Sequence, residues 1–314
     1  MKLKLDLKLL KELYLTPNPS SQEYALISYI LNYVYNVDNI NVELDHYSNL
    51  FITKNTTNPE VYPCLVAHMD SVHDWNEDKG LIIKDGEIFA INNKTKQRCG
   101  LGADDLNGVY VALHLLKILP DLKIVFTVEE EIGARGATEA CFNTMFFKDV
   151  GYFLQADRRG NSNLIVNTNC IDCASKEFLD AVDPICKSFN YAHEFGTFTD
   201  VGVLVEDLHI SGVNISCGYY NEHTAKERTV LKDLQNCLNF IYNIIKTIDL
   251  KIYTHIPTTS FGKYYYHYAS LSDDKKDDTI TESDYYKMLD NDEDLARHCA
   301  ACSTFDCMHC KYYI

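Results

Sequence analysis

Basic residues are too few in this chain for a nucleic-acid partner. Lys and Arg number 29 against 45 Asp and Glu, leaving a net charge of −16, so a face able to neutralise duplex phosphates is not expected. Long apolar runs are missing too: no stretch approaches the ~20 residues that span a bilayer, and no membrane partner is expected. The opening MKLKLDLKLLKELYL alternates charged and apolar residues and lacks the unbroken apolar core and small-residue cleavage site of a secretory signal. The 12 cysteines of this 314-residue chain do not form a short disulfide scaffold, because eight of them are scattered, singly or in one pair, before residue 251. A reducing, cytoplasmic compartment is the expectation. No repeat at a solenoid period is present. Hydrophobic residues make up 46% of the chain, enough for a substantial core.

Short apolar runs at Leu65 to Ala67, Ile124 to Val128 and Tyr152 to Leu154, bounded by polar clusters, predict buried parallel strands. Helices are predicted over 7–15, 22–34, 106–119, 176–189 and 228–248, with Ser20 or Ser21 capping the second. Strands are predicted over 50–54 and 209–215, and KDGEI within 81–91 predicts a hairpin. The class is therefore α/β.

Each apolar run ends in residues that bind metals. The order is CLVAHMD (64–70), GLGADDLNG (100–108), FTVEEEIG (126–133), YFLQAD (152–157) and YYNEHT (219–224). In open α/β sheets ligands bind beyond the carboxyl ends of strands, where such groups converge. Taken singly, each has an ordinary reading. His68 with Asp70 suits a satisfied buried pair, Asp104 or Asp105 a helix cap, Glu129 to Glu131 a solvated strand end, His223 a surface loop, and Asp157 a partner for Arg158 or Arg159. One shared cause explains the ordered set better than separate coincidences.

Over about residues 10–245 this order resembles that of the co-catalytic zinc exopeptidases: peptidase T, the glutamyl aminopeptidases and the bacterial zinc aminopeptidases. The resemblance implies a zinc-exopeptidase (phosphorylase/hydrolase-like) fold with a mixed, mostly parallel central sheet flanked by helices. It also implies two Zn2+, with Co2+ or Mn2+ as substitutes. Asp104 would bridge them, His68 and Asp157 would hold one, and Glu131 and His223 the other. Asp70 would orient His68, Glu130 would act as general base toward a metal-bridging water, and the Asp104–Asp105 peptide would be cis. The intervals 69–103 and 158–222 are too short for the inserted barrel or lid of the larger relatives. The implied activity is that of a di-zinc aminopeptidase on short peptides. Hydrolysis of another amide, or a carboxypeptidase activity, is the alternative, and a catalytically silent binding module is the second. Thr199, Asp200, Arg158, Arg159 and the pair Tyr219 and Tyr220 are further candidates near the substrate, with a helix N-cap the alternative for Thr199 or Asp200.

Composition changes near residue 251. Residues 1–250 form the expected catalytic domain, and 251–297 an acidic, Tyr-rich linker or arm that would suit a protein partner. Residues 298–314 carry two Cys-x-x-Cys pairs. Cys299, Cys302, Cys307 and Cys310 would close a structural four-thiolate Zn2+ site; an exposed reduced tail is the alternative. Monomer and oligomer are equally compatible with the sequence.

Overall fold

The computed structural model describes residues 3–258. Most of the acidic arm, together with Cys299, Cys302, Cys307 and Cys310, lies outside the described residues.

Helix α1 (Leu7–Tyr14) is capped by Asp6, whose Oδ1 accepts from the amides of Lys8 (3.0 Å) and Leu9 (3.1 Å). Helix α2 (Tyr24–Val34) has no side-chain cap, contrary to the expectation for Ser20 and Ser21. Both hydroxyls are drawn elsewhere: Ser20 donates to Asp70 and Ser21 to Glu129. Strands β1 (Ile40–Leu44), β2 (Leu50–Asn55) and β3 (Tyr62–His68) follow. The predicted hairpin is β4 (Lys79–Lys84) with β5 (Glu87–Asn92), turning through the left-handed Asp85 and Gly86.

Beyond β6 (Arg98–Cys99), α3 (Ala103–Ile118) stops before Pro120, and β7 (Asp121–Thr127), α4 (Arg135–Ala140), α5 (Thr144–Phe147) and β8 (Val150–Arg158) complete the central part. The remainder is β9 (Asn163–Thr168), β10 (Ile171–Asp172), α6 (Lys176–Phe189), β11 (Ala192–Gly196), α7 (Asp200–Leu208), β12 (Gly212–Ser216), β13 (Tyr219–Tyr220), β14 (Arg228–Val230) and α8 (Leu231–Thr247). Helix α6 has the predicted bounds. Helix α8 starts later than predicted because residues 228–230 are taken into a strand beside β5. Strand β12 starts later than predicted because His209, at φ 56°, ends α7.

The main sheet has nine strands in the order β1-β2-β7-β3-β8-β12-β9-β10, with β11 also on β9. Its centre, β7, β3, β8 and β12, is parallel; β1, β2, β9 and β10 make antiparallel pairs at the flanks. Alternation along the central strands builds two cores. Leu65, Ala67, Ile124, Phe126, Tyr152 and Leu154 face the layer that contains α1, α3, α6 and α8. Cys64, Val66, Val125 and Phe153 face Phe146, Phe147, Val201 and Leu204 from α5 and α7.

Neither short interval forms a separate domain. Residues 69–103 supply β4 to β6, which join β13 and β14 in a small five-stranded sheet. Residues 158–222 mainly extend the large sheet. The described part of the arm is packed: Tyr253 is buried, its ring 5.2 Å from Phe178 and 6.0 Å from Tyr152, and Thr254 bridges to Ile210. Among the described residues no helix is long and apolar enough to cross a membrane.

One glycine controls the turn after β7. A Cβ at Gly136 would lie 2.2 Å from the Val128 carbonyl oxygen and 2.6 Å from Asn49 Oδ1. Gly136→Ala is expected to destabilise the protein by about 1–3 kcal/mol, read as a lower urea midpoint. An unchanged midpoint would mean that this turn yields without cost.

Candidate metal centre

The carboxyl ends of β3, β7 and β8 bring His68, Glu130, Glu131 and Asp157 together, and the start of α3 adds Asp104. His68 is the last residue of β3. The strand ends there, and Asp70 lies two residues beyond it. His68 Nδ1 faces the Asp70 carbonyl oxygen at 3.1 Å and Asp70 Oδ1 at 3.3 Å. Both are acceptors, so Nδ1 carries the proton and Nε2 is left facing Asp104 Oδ1 (3.1 Å) and Asp157 Oδ1 (3.6 Å).

Asp104 divides its two oxygens. Oδ1 faces His68, while Oδ2 lies 3.4 Å from His223 Nε2, which is also 3.0 Å from Glu131 Oε2. Two groups result, His68 with Asp104 and Asp157, and Asp104 with Glu131 and His223; within each, the candidate ligand atoms lie within 4.8 Å of one another. The Asp104–Asp105 peptide bond is cis. His223, at φ 58°, and Glu129, at φ 56°, hold left-handed backbone, which costs non-glycine residues roughly 1–2 kcal/mol each.

The electrostatics suit a cation. The carboxyls of Asp70, Asp104, Asp105, Glu130, Glu131, Asp157 and Asp200 outnumber the imidazoles of His68 and His223. Burial lowers the pKa of His68, yet its contacts with Asp104, Asp157 and Asp70 hold it well above its usual value. Asp104 and Glu131 hold His223 up to about 11. Burial and the Asp104 charge push Asp157 up to about 7. Burial raises Glu130 well above the usual carboxyl range, and the charges of Asp200, Asp157 and Glu131 add to the effect. Mixed imidazole and carboxylate donors around excess buried negative charge fit a divalent metal, zinc among them.

The supporting shell is more extensive than the motifs suggested. Asp70 accepts from the amides of Glu130 (2.8 Å) and Glu131 (3.2 Å), so one carboxylate orients His68 and the Glu130–Glu131 turn. Asp157 is held by Gln155 Nε2 (3.0 Å), the Thr199 hydroxyl (3.1 Å) and the Tyr219 hydroxyl (3.4 Å), with its amide on Asn214 Oδ1. Thr199 occupies the cap position of α7 without making a cap bond. Thr199 and Tyr219 therefore hold an acid. Asp200 is fully buried, one oxygen accepting from Thr127. Arg159 pairs with Glu222 at 2.8 Å. A cleft of about 140 Å³ opens on this cluster, lined by Glu130, Glu131, Arg158, Phe198 and Tyr219 among others. Sequence reasoning missed Gln155 and Asn214; their place inside the continuously buried strands β8 and β12 makes them buried polar positions that need partners.

A family model described as M42 glutamyl aminopeptidase matches residues 81–240, just over half of the chain. Comparison with curated proteins returns no match. Among solved structures, a tripeptidase from Staphylococcus aureus subsp. aureus Mu50 superposes with a TM-score of 0.63 at 17% identity, over 76% of this chain and 96% of that one. Aminopeptidase PepT from Bacillus cereus ATCC 10987 gives 0.62 at 15% identity, over 77% and 97%. An aminopeptidase from the archaeon Desulfurococcus kamchatkensis gives 0.58 at 16%, over 77% and 94%. At these identities the likeness is one of fold.

Proposed function

Because the chain belongs to the M42 glutamyl aminopeptidase family and is a metal-dependent aminopeptidase, we propose that it hydrolyses short peptides with a free amino terminus at a pair of zinc ions. His68 and Asp157 would hold one ion and Glu131 and His223 the other, with Asp104 between them. The division of the Asp104 oxygens between His68 and His223 carries this reading. Bound there, the metal pair supplies Lewis acidity to the scissile carbonyl and acidifies water.

The chain's own groups do the rest. Asp70 would keep the proton on His68 Nδ1, which leaves the Nε2 lone pair for a metal. Glu130 belongs to neither candidate ligand group and lines the cleft beside both. Its carboxylate takes a proton from the attacking water and returns it to the leaving amine. Gln155, Thr199 and Tyr219 fix the Asp157 carboxylate, so that it does not swing toward the peptide. The thiolates of Cys299, Cys302, Cys307 and Cys310 would hold a separate structural zinc.

Metal content and substrate choice test this together. The full-length chain is expected to carry three zincs per protein, and a variant with all four of those cysteines changed to serine two. Free dipeptides are expected to be cleaved and their N-acetylated forms spared. Equal cleavage of blocked dipeptides would replace the aminopeptidase reading with a broader amidohydrolase, and a parent without metal after zinc addition would remove the metal site altogether.

A further inference from the structure

Glu227 is fully buried, yet no metal-binding motif includes it. Burying a carboxylate is costly unless each oxygen is satisfied. Here both are, and the donors come from one neighbourhood. Oε2 accepts from the amides of Leu101 (3.0 Å) and Gly102 (2.7 Å) and faces His73 Nε2 (2.9 Å), while Oε1 accepts from the amide of Asp104 (3.1 Å). The restraint is reciprocal. Arg98 donates to the carbonyls of Lys226 and Glu227, both at 3.1 Å, and Lys79 Nζ donates to the Leu101 carbonyl at 2.8 Å.

This carboxylate therefore grips the backbone leading into Asp104, including the amide of Asp104 itself. Gly102 enters that grip with left-handed backbone (φ 71°), and the His73 ring lies against Gly100, where a Cβ would come within 2.2 Å of it. Glu227 is also four residues beyond His223, so one segment provides both a candidate ligand and the strut for another. We infer that Glu227 is a positioning residue: it aims Asp104 so that its two oxygens are shared between the His68 and His223 sides. This rests on the reading of Asp104 as a metal ligand.

Glu227→Gln keeps size and shape but turns one acceptor into a donor. Whichever way the amide is turned, either the Asp104 amide or the Leu101, Gly102 and His73 donors meet an NH2 group. The test titrates cobalt(II) into metal-depleted full-length protein. Its visible absorption separates a nitrogen and oxygen site from a thiolate site. E227Q is expected to bind cobalt at the nitrogen and oxygen site about 10–100-fold more weakly than the parent, with amide exchange faster at residues 101–104. Equal affinity overturns the inference, including where E227Q melts earlier than the parent without metal, since that is a structural role alone. A parent that takes no cobalt at this site overturns the metal reading and this inference with it. If E227Q does not fold, His73→Ala decides: it removes one donor from a part-exposed side chain, and an affinity equal to the parent's overturns the inference while a severalfold loss supports it.

Discussion

Glu130→Gln is expected to keep the parent's metal content and to lose roughly 100- to 10,000-fold in kcat, the range of a positioned general base. The amide preserves the shape of the side chain but cannot accept the proton of the attacking water. Metal content is expected to stay because Glu130 belongs to neither candidate ligand group. Its anchor in the turn is a backbone bond, its amide donating to Asp70 Oδ1 at 2.8 Å, and the substitution leaves that bond intact. The diagnostic pattern is thus a fall in kcat with nearly unchanged metal stoichiometry and KM. Turnover at the parent rate would mean that another group takes the proton, and loss of metal would move Glu130 into the ligand set.

Asp104→Asn is expected to have a different signature, with metal lost at both positions and activity lost with it. Asp104 alone is common to the two ligand groups, and one of its oxygens would become an NH2 group facing His68 or His223. Since removing an outer partner costs about 10–100-fold in metal affinity, removing a shared ligand is expected to cost more. Elemental analysis and the cobalt titration read it directly. Changing Glu131 or Asp157 to the amide is expected to weaken one position more than the other, because each belongs to a single group. Equal retention of both metals in D104N would break the bridging assignment.

How far these sites were legible depends on the range of the interaction. Local patterns carried strands β3, β7 and β8, because short uninterrupted apolar runs between polar clusters report burial within a few residues. They also carried the hairpin at Asp85 and Gly86 and the extent of α6. They failed where a competing long-range contact won. Ser20 and Ser21 resemble helix caps, but the hydroxyls are taken by Asp70 and Glu129, far along the chain. Residues 228–230 continue a helical pattern, yet β5 offers them a ladder.

The chain alone determined its chemical inventory: the ordered His, Asp and Glu residues at strand ends, the acidic net charge, and the α/β alternation. Those follow from residue identity and near-neighbour periodicity. Only the tertiary structure decided that β7 lies between β2 and β3, that the two oxygens of Asp104 face different histidines, and that Glu227 grips residues 101–104. Each of these joins groups separated by tens to more than a hundred residues, and no local pattern records a partner at that distance. It is the packing of β3, β7, β8 and α3 that turns scattered acids into one charged site.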